Sequence, residues 1–225
     1  MAKIYQVKRA RNPLTCGRCR VTVAKGEPYR WTKPRAGRWT TGAKLSRCMN
    51  PTCSFRPSEM TTSDKLGRIY ASQEAYEDDT QSTDTSPSMF VESLNAMATE
   101  LREVAQEYKD GASNIEEGFG HPTSQSEEME RNGENVEEWA DSIEGAASEI
   151  ESEQEEWDTL EAERETWEDT PDPQTCASCN NEIPKSEEWG ENCPECDAQG
   201  GTQRFEELAE EMMNTANDAV NACPV

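Results

Sequence analysis

Eight cysteines in two sets of four are the residues whose type and spacing most directly specify chemistry in this chain. The sets are Cys16, Cys19, Cys48 and Cys53 near one end, and Cys176, Cys179, Cys193 and Cys196 in the last quarter. Each set consists of two short turns with two thiolates apiece, and two such turns facing each other form the closed tetrahedral site of a structural zinc ion. We therefore expect two zinc ions, both structural.

Disulfide bonds are the alternative use of these cysteines. No apolar stretch of the chain is long enough for a signal peptide or a membrane span, so we expect a cytoplasmic protein that does not bind membranes. A reducing compartment favours zinc over disulfides. The ninth cysteine, Cys223, has no cysteine left to pair with, which fits the same compartment.

Charge divides the chain sharply. Residues 1–70 contain sixteen Lys and Arg against three acidic residues, a net charge of +13, whereas residues 71–225 contain six basic and forty-three acidic residues, a net charge of −37. Hydrophobic residues make up only 33% of the sequence, so one large core is not expected. Small metal-stabilised units joined to extended helices fit this composition better.

The basic head interleaves aromatic with cationic residues, the mixture that binds phosphates by charge and bases by stacking. The candidate nucleic-acid contacts are Arg20, Arg30, Trp31, Lys33, Arg35, Arg38, Trp39 and Lys44. Non-specific binding is expected, because no recognition helix of the zinc-finger type follows the cysteines. The alternatives are that the aromatic residues form a small core beside the zinc under a solvated charged surface, or that the head binds a protein.

The second cysteine set lies in acidic sequence. Lys185 is the one cation between Cys176 and Cys196, so this unit should repel phosphates. Its Cys-Pro-Glu-Cys turn resembles the knuckles of rubredoxin-like proteins and zinc ribbons. That resemblance implies a fold and a structural metal held by the four cysteines, and no activity. Trp189 and Ile183 would form either the small core of this unit or a tip that docks on a protein.

The head has a resemblance of its own. Residues 11–19, 25–29 and 48–53 read RNPLTCGRC, KGEPY and CMNPTC. Together they resemble small zinc-knuckle proteins of tailed bacteriophages over about the first seventy residues. The resemblance implies a phage or bacterial cytoplasmic setting and assigns no activity.

The head should be rich in short strands. Alternation predicts strands at residues 4–8 and 39–45, and a hairpin in which residues 20–23 pair with residues 29–31 across the Lys25-Gly26 turn. After the second cysteine turn the periodicity becomes helical, and Ser63 can cap the helix that follows.

The acidic part has helical periodicity. The first amphipathic helix carries, at heptad spacing, Phe90, Leu94, Met97, Leu101, Val104 and Tyr108. The sequence Gly-Phe-Gly-His-Pro at 118–122 should end it.

A second, longer helix should start near Ser124 or Ser126, either of which can cap it, and continue to Trp167, with Glu153 and Arg164 as polar interruptions of its apolar seam. The stripe of a last helix consists of Phe205, Leu208, Met212, Ala216 and Ala219. Such apolar stripes must be buried against one another.

The expected fold class is α+β: a small zinc-stabilised β-rich head, a linker, and an acidic, mainly α-helical bundle or coiled coil with an inserted zinc ribbon. The expected domains are a basic four-cysteine zinc domain at 1–76, a flexible linker at 77–88, an acidic helical hairpin at 89–170, a four-cysteine zinc ribbon at 171–200, and a C-terminal helix at 201–225 that packs on the hairpin. The excess of Glu outside the seam disfavours an intermolecular coiled coil, although a homodimer through Trp157 and Trp167 stays open.

No enzymatic activity is expected. The one histidine, His121, lies far in sequence from both cysteine sets, so Cys–His nucleophilic pairs and histidine-bound catalytic zinc lack their parts. The sequence contains no glycine-rich phosphate loop. Four cysteines around one zinc also leave no open coordination position.

The sequence therefore predicts a non-enzymatic zinc adaptor in a bacterial or phage-infected cell. Its head binds nucleic acid, and its acidic body binds a basic host or phage protein as a nucleic-acid mimic or an inhibitor of host machinery. The body could instead compete with nucleic acid for the head, or be only a solvated scaffold. The alternative function is a structural or assembly protein that oligomerises through its helices.

Overall fold

The computed structural model describes residues 3–33, 44–61, 63–81, 86–165, 174–175, 182–183 and 201–224. The fold is mixed, mostly helical with a small three-stranded antiparallel sheet near the N-terminus, which agrees with an α+β class. The chain divides into two compact units, Met1–Ala75 and Tyr76–Val225.

The sheet of the first unit consists of β1 (Ile4–Val7), β4 (Tyr29–Thr32) and β5 (Leu45–Arg47), with β4 in the centre. β2 (Leu14–Thr15) and β3 (Thr22–Val23) form a separate antiparallel pair.

The predicted hairpin is therefore wrong, because β3 pairs with β2 while β4 pairs with β1 and β5. The expected turn is present, with Gly26 at a φ of 96°. Its backbone, however, is hydrogen-bonded to the backbone of Ala10. Ala10 donates its N–H to the Glu27 carbonyl at 2.8 Å and accepts the Gly26 N–H at 2.9 Å. Alternation identified the strands, but the first cysteine turn, which connects β2 to β3, decides the pairing.

The third strand of the sheet is β5. The strand predicted at 39–45 falls mostly on residues 34–43, which are outside the described residues. Helices α1 (Pro57–Met60) and α2 (Asp64–Thr80) follow. Ser63 caps α2 as predicted, because its hydroxyl oxygen accepts the Leu66 N–H at 3.3 Å. α2 continues to Thr80 and so occupies residues that the sequence had assigned to the linker.

An antiparallel hairpin of α3 (Pro87–Phe119) and α4 (Ser124–Ser152) dominates the second unit. The heptad spacing correctly marks the buried face of α3, since Phe90, Leu94, Met97, Leu101 and Val104 are all at most 2% exposed. Gly120 ends α3 in the left-handed conformation, with a φ of 74° and its N–H bonded to the Glu116 carbonyl at 2.7 Å. The cap of α4 is Thr123 and not the predicted Ser124 or Ser126; Ser126 instead completes a reciprocal capping box with Thr123.

The second helix is interrupted where the sequence predicted one continuous helix. α4 ends at Ser152, Glu153 forms the cap, and α5 spans Gln154–Glu165. Glu153 is the polar residue on the predicted apolar seam, and at the break it is half-buried. A polar residue on an apolar seam is a natural place for such a break, because burying an unpaired carboxylate is costly.

The last helix, α6 (Gly201–Asn221), packs on the hairpin and on α5. Its predicted stripe is buried at Leu208, Met212, Ala216 and Ala219, each at most 8% exposed. Tyr76 also joins this unit, because its hydroxyl donates to Asn217 Oδ1 at 3.1 Å, and burial raises the pKa of Tyr76 to about 12. None of the described helices combines the length and apolar character that a membrane span requires.

Candidate metal centre and nucleic-acid interface

The first cysteine set forms a compact cluster. The sulfur atoms of Cys16, Cys19, Cys48 and Cys53 all lie within 4.8 Å of one another and could hold one metal ion. A tetrahedral zinc site with Zn–S bonds of about 2.3 Å places its sulfurs about 3.8 Å apart. The Sγ atoms of Cys19 and Cys48 are 3.7 Å apart, so the cluster fits an ion of that size.

The turn that carries Cys16 and Cys19 is tied by backbone hydrogen bonds. Cys16 donates its N–H to the Val21 carbonyl at 2.9 Å and accepts the Arg20 N–H at 3.1 Å. Gly17 donates to the Ser46 carbonyl at 2.9 Å, which fixes the turn to β5. Arg20 closes the turn with a φ of 62°, in the left-handed region that glycine usually occupies.

The second turn holds its cysteines together despite four intervening residues. Asn50 caps a short 3-10 helix, Pro51–Cys53, by accepting the Thr52 N–H at 3.1 Å and the Thr52 hydroxyl at 3.0 Å. Cys53 in turn donates its N–H to the Asn50 carbonyl at 3.0 Å. This tight helix brings Cys53 back beside Cys48.

Two arginines support the cluster from within the head. Arg30 donates to the carbonyl oxygens of Cys48 and Asn50 at 3.3 and 2.9 Å. Arg47 is buried, forms an ion pair with Glu59 and lies over the ring of Phe55. Four thiolates around a divalent ion carry a net charge of −2, which such guanidinium groups help to offset.

The surroundings of Cys16 and Cys48 shift their thiol pKa values in opposite directions. Burial alone would raise the pKa of Cys16, but hydrogen bonds from the backbone N–H groups of Cys48, Arg18 and Cys19 lower it to about 6. Burial, together with hydrogen bonding to the other three thiols, raises the pKa of Cys48 to about 12. A bound cation would stabilise the thiolate form of the cysteine sulfurs that it contacts.

The second cysteine set, Cys176, Cys179, Cys193 and Cys196, lies outside the described residues, as does Trp189. The described part of that region is a short antiparallel pair, β6 (Gln174–Thr175) and β7 (Glu182–Ile183).

One face of the sheet in the first unit carries stacked aromatic rings. Tyr5 of β1 lies directly opposite Trp31 of β4, and their rings stack with centroids 4.4 Å apart and planes 15° apart. The ammonium nitrogen of Lys44 lies 4.2 Å from the Trp31 ring centroid and donates to the Tyr29 hydroxyl at 3.2 Å. These contacts form a cation–π arrangement in which one lysine covers two rings.

Three lysines form a row across the same end of this sheet. Lys3 precedes β1, Lys33 follows β4 and Lys44 precedes β5, and the strand register Ile4↔Thr32↔Leu45 sets the three side by side. Alternation along the strands puts them on the face of Tyr5 and Trp31. All three are exposed, and among the residues that the structure describes no carboxylate forms an ion pair with them.

The other predicted nucleic-acid contacts are placed differently. Arg20 is exposed at the first cysteine turn, while Arg30 points to the opposite face of the sheet, where it holds the second cysteine turn. Arg35, Arg38 and Trp39 lie outside the described residues.

Lys3 and Tyr5 are absent from the predicted contacts, although the structure sets both beside Trp31. The i, i+2 spacing of Lys3, Tyr5 and Val7 indicated a shared face of one strand. The pairing of that strand with β4 was not readable from the sequence, and this pairing is what brings Tyr5 to Trp31.

The second unit retains a strongly acidic surface. Its described basic residues are largely committed to carboxylates: Arg102 pairs with Asp141 and Glu144, Lys109 with Glu137, and Arg204 with Glu156. Trp157 is only 4% exposed and lies against Phe205 with ring centroids 4.1 Å apart, so its ring is used within the unit. Trp167 lies outside the described residues.

Comparisons of this chain with protein-family models, with curated proteins and with solved structures found no match in any of the three.

Proposed function

We propose that this protein is a non-enzymatic zinc-binding adaptor whose head binds nucleic acid and whose acidic helical unit binds a basic protein surface. The observation that carries the proposal is the row of Lys3, Lys33 and Lys44 beside the stacked rings of Tyr5 and Trp31. Lysines of this kind bind phosphates, and exposed rings bind bases.

Zinc is the metal that we assign to the cysteine cluster. Four thiolates in a tetrahedral arrangement are typical of a closed structural zinc site. The head is small and its described hydrophobic core is slight, so the metal would stabilise the sheet that presents the lysines. We propose that the second cysteine set binds a second zinc ion in a ribbon-like unit.

Metal analysis of the full chain tests both zinc sites. We expect two zinc ions per chain by native mass spectrometry, and one after Cys16→Ser or Cys176→Ser. Cys223→Ser is the matched control, because Cys223 belongs to neither set, and it should retain both ions. Retention of two ions in either of the first two variants, or intact disulfides in place of metal, would refute the assignment.

Nucleic-acid binding is tested with the full chain by fluorescence anisotropy of a labelled oligonucleotide across a salt series. Replacing Lys3, Lys33 and Lys44 together with alanine should weaken binding and reduce the slope of log K against log salt by about 2 to 3. The control replaces Lys8, Arg11 and Lys25, which are exposed elsewhere in the head, and it removes the same charge. Equal loss in both triple variants, or no binding by the wild type at low salt, would contradict the proposal.

The basic partner of the acidic unit is suggested by charge complementarity. The carboxylates on the solvent-facing sides of α3, α4 and α5 far outnumber the cations there, which favours association with basic protein surfaces. A host lysate passed over immobilised protein should yield a partner that heparin displaces and that nuclease does not release. Elution by nuclease alone would instead assign the association to the head.

A further inference from the structure

Among the described rings of this sheet face, Tyr5 offers a base the most exposed position, since Tyr29 and Trp31 are half-buried. The strand order β1-β4-β5 puts Trp31 on the central strand, between Tyr5 on one side and Lys44 on the other. The Tyr5 ring covers one face of the indole and the Lys44 ammonium covers the second. A base therefore cannot stack on Trp31 unless Lys44 moves away.

Tyr5 stands at the edge of the sheet, because β1 pairs only with β4 in the described three-stranded sheet. Tyr5 is 41% exposed, and no second aromatic ring among the described residues stacks on it. The ammonium nitrogen of Lys3 lies 5.6 Å from its ring centroid. Trp31 thus supports the inner face of Tyr5. The Lys3 ammonium lies over the ring at a longer distance than the 4.2 Å between Lys44 and the Trp31 centroid, so a base reaches the outer face by displacing only this more distant cation.

We propose that the head takes single-stranded nucleic acid, with one unpaired base stacked on the outer ring face of Tyr5. This inference rests on the nucleic-acid function proposed above and specifies its ligand. In a duplex the faces of the bases are covered by their neighbours, so a surface ring has no base face to meet, whereas an unpaired base presents one. A duplex would contact the lysines alone.

The lysine row supplies the matching backbone contacts. Neighbouring strands lie about 4.8 Å apart, so Lys3, Lys33 and Lys44 span about 10 Å across the sheet. This row is short, so it can contact only a few consecutive phosphates of one strand. A single strand that crosses the sheet over the lysines would then place a base at the β1 edge, on Tyr5.

The test uses the full chain and two probes of equal length, a labelled oligothymidine and a labelled duplex, measured by fluorescence anisotropy at low salt. The wild type should bind the single strand more tightly. Tyr5→Leu retains apolar packing against Trp31 but removes the ring, and it should weaken single-strand binding by roughly 5- to 150-fold with little effect on the duplex. Tyr5→Phe should rescue single-strand binding because it restores a ring.

Val21→Ala is the control, since Val21 is an exposed apolar residue of the head outside this face, at 59% exposure. Zinc content of each variant, measured in parallel, shows that the head has kept its metal. Equal binding of both probes by the wild type, or equal weakening of both by Tyr5→Leu, would overturn the single-strand inference and leave nucleic-acid binding in place. Binding of neither probe would instead remove the proposed function itself.

Discussion

The indole nitrogen of Trp139 donates a hydrogen bond to the carbonyl oxygen of Ala219 at 2.8 Å, and both residues are buried. This bond joins α4 to the last turn of α6, where helix carbonyls lack an intrahelical donor. It is one of the polar contacts that fix the position of α6 on the hairpin.

Trp139→Phe should destabilise the second unit. Phenylalanine retains most of the buried ring but leaves the Ala219 carbonyl without this donor, at a cost of about 1–3 kcal/mol in the free energy of unfolding. Urea denaturation followed by circular dichroism measures the change. Trp157→Phe is the control, because the described contacts of Trp157 are ring contacts, and a loss equal to that of Trp139→Phe would argue against the hydrogen bond as the cause.

Two glycines of α4 should respond in opposite directions to alanine. A Cβ at Gly133 would lie 3.1 Å from the Ala105 carbonyl oxygen and 3.2 Å from Tyr108 Cβ, whereas a Cβ at Gly145 meets nothing within 4 Å. Gly133→Ala should cost about 1–3 kcal/mol because it pushes α3 and α4 apart. Gly145→Ala should stabilise the unit by about 0.5–1 kcal/mol through helix propensity. Urea denaturation measures both variants, and a change of the same sign in the unfolding free energy of both would contradict this prediction.

Arg20→Gly should stabilise the first cysteine turn. A side chain in the left-handed conformation costs about 1–2 kcal/mol, and glycine is free of that strain. The expected result is slower loss of metal to a chelator, measured with a colorimetric zinc indicator. Arg18→Gly, in the same turn, is the control and should accelerate loss, because Arg18 donates to the Ser54 carbonyl at 3.4 Å. Faster loss from Arg20→Gly would show that strain is not the dominant effect.

The ion pair between Glu156 and Arg204 should make part of the stability depend on pH. Two hydrogen bonds from Arg204, at 2.5 and 2.9 Å, lower the pKa of Glu156 below its ordinary value of 4.5. A lowered carboxyl pKa gives stabilisation that is fully present above the unfolded value and disappears as pH falls through the folded value. The difference in unfolding free energy between wild type and Glu156→Gln should therefore shrink on acidification.

A variant of Arg204, the ion-pair partner of Glu156, supplies the control for that measurement. In an Arg204→Met background, Glu156→Gln should change stability by an amount that varies far less with pH, because the guanidinium that shifts the pKa is gone. If the difference in unfolding free energy between wild type and Glu156→Gln stayed constant down to strongly acidic pH, this ion pair would not contribute to the pH dependence of stability.

Short-range sequence patterns were sufficient to predict several structural features. Heptad spacing predicted the buried face of α3, and Ser63 was recognised as the cap of α2, because both depend on residues within a few positions of each other. The cysteine spacings likewise predicted that Cys16 and Cys48 would meet, since each lies in a short turn of known geometry.

Features that depend on contacts between residues far apart in the sequence could not be predicted in this way. The β2–β3 pair replaced the predicted hairpin, because strand alternation does not specify a partner. The row of lysines at Lys3, Lys33 and Lys44 exists only through the register of three strands. The break at Glu153 was not predicted either, because heptad spacing continues across it and the polar residue on the seam does not by itself specify where a helix ends.

The docking of α6 also determines how the second unit can form during synthesis. The α3–α4 hairpin needs only contacts that are local in sequence, so it can close quickly. Ala219, the partner of Trp139, lies 80 residues further along the chain, and at about 5–20 residues per second the ribosome takes roughly 4–16 s to add them. For those seconds the apolar stripe that α6 will cover is exposed on the nascent chain, and the dense carboxylates around it repel neighbouring nascent chains and so limit aggregation.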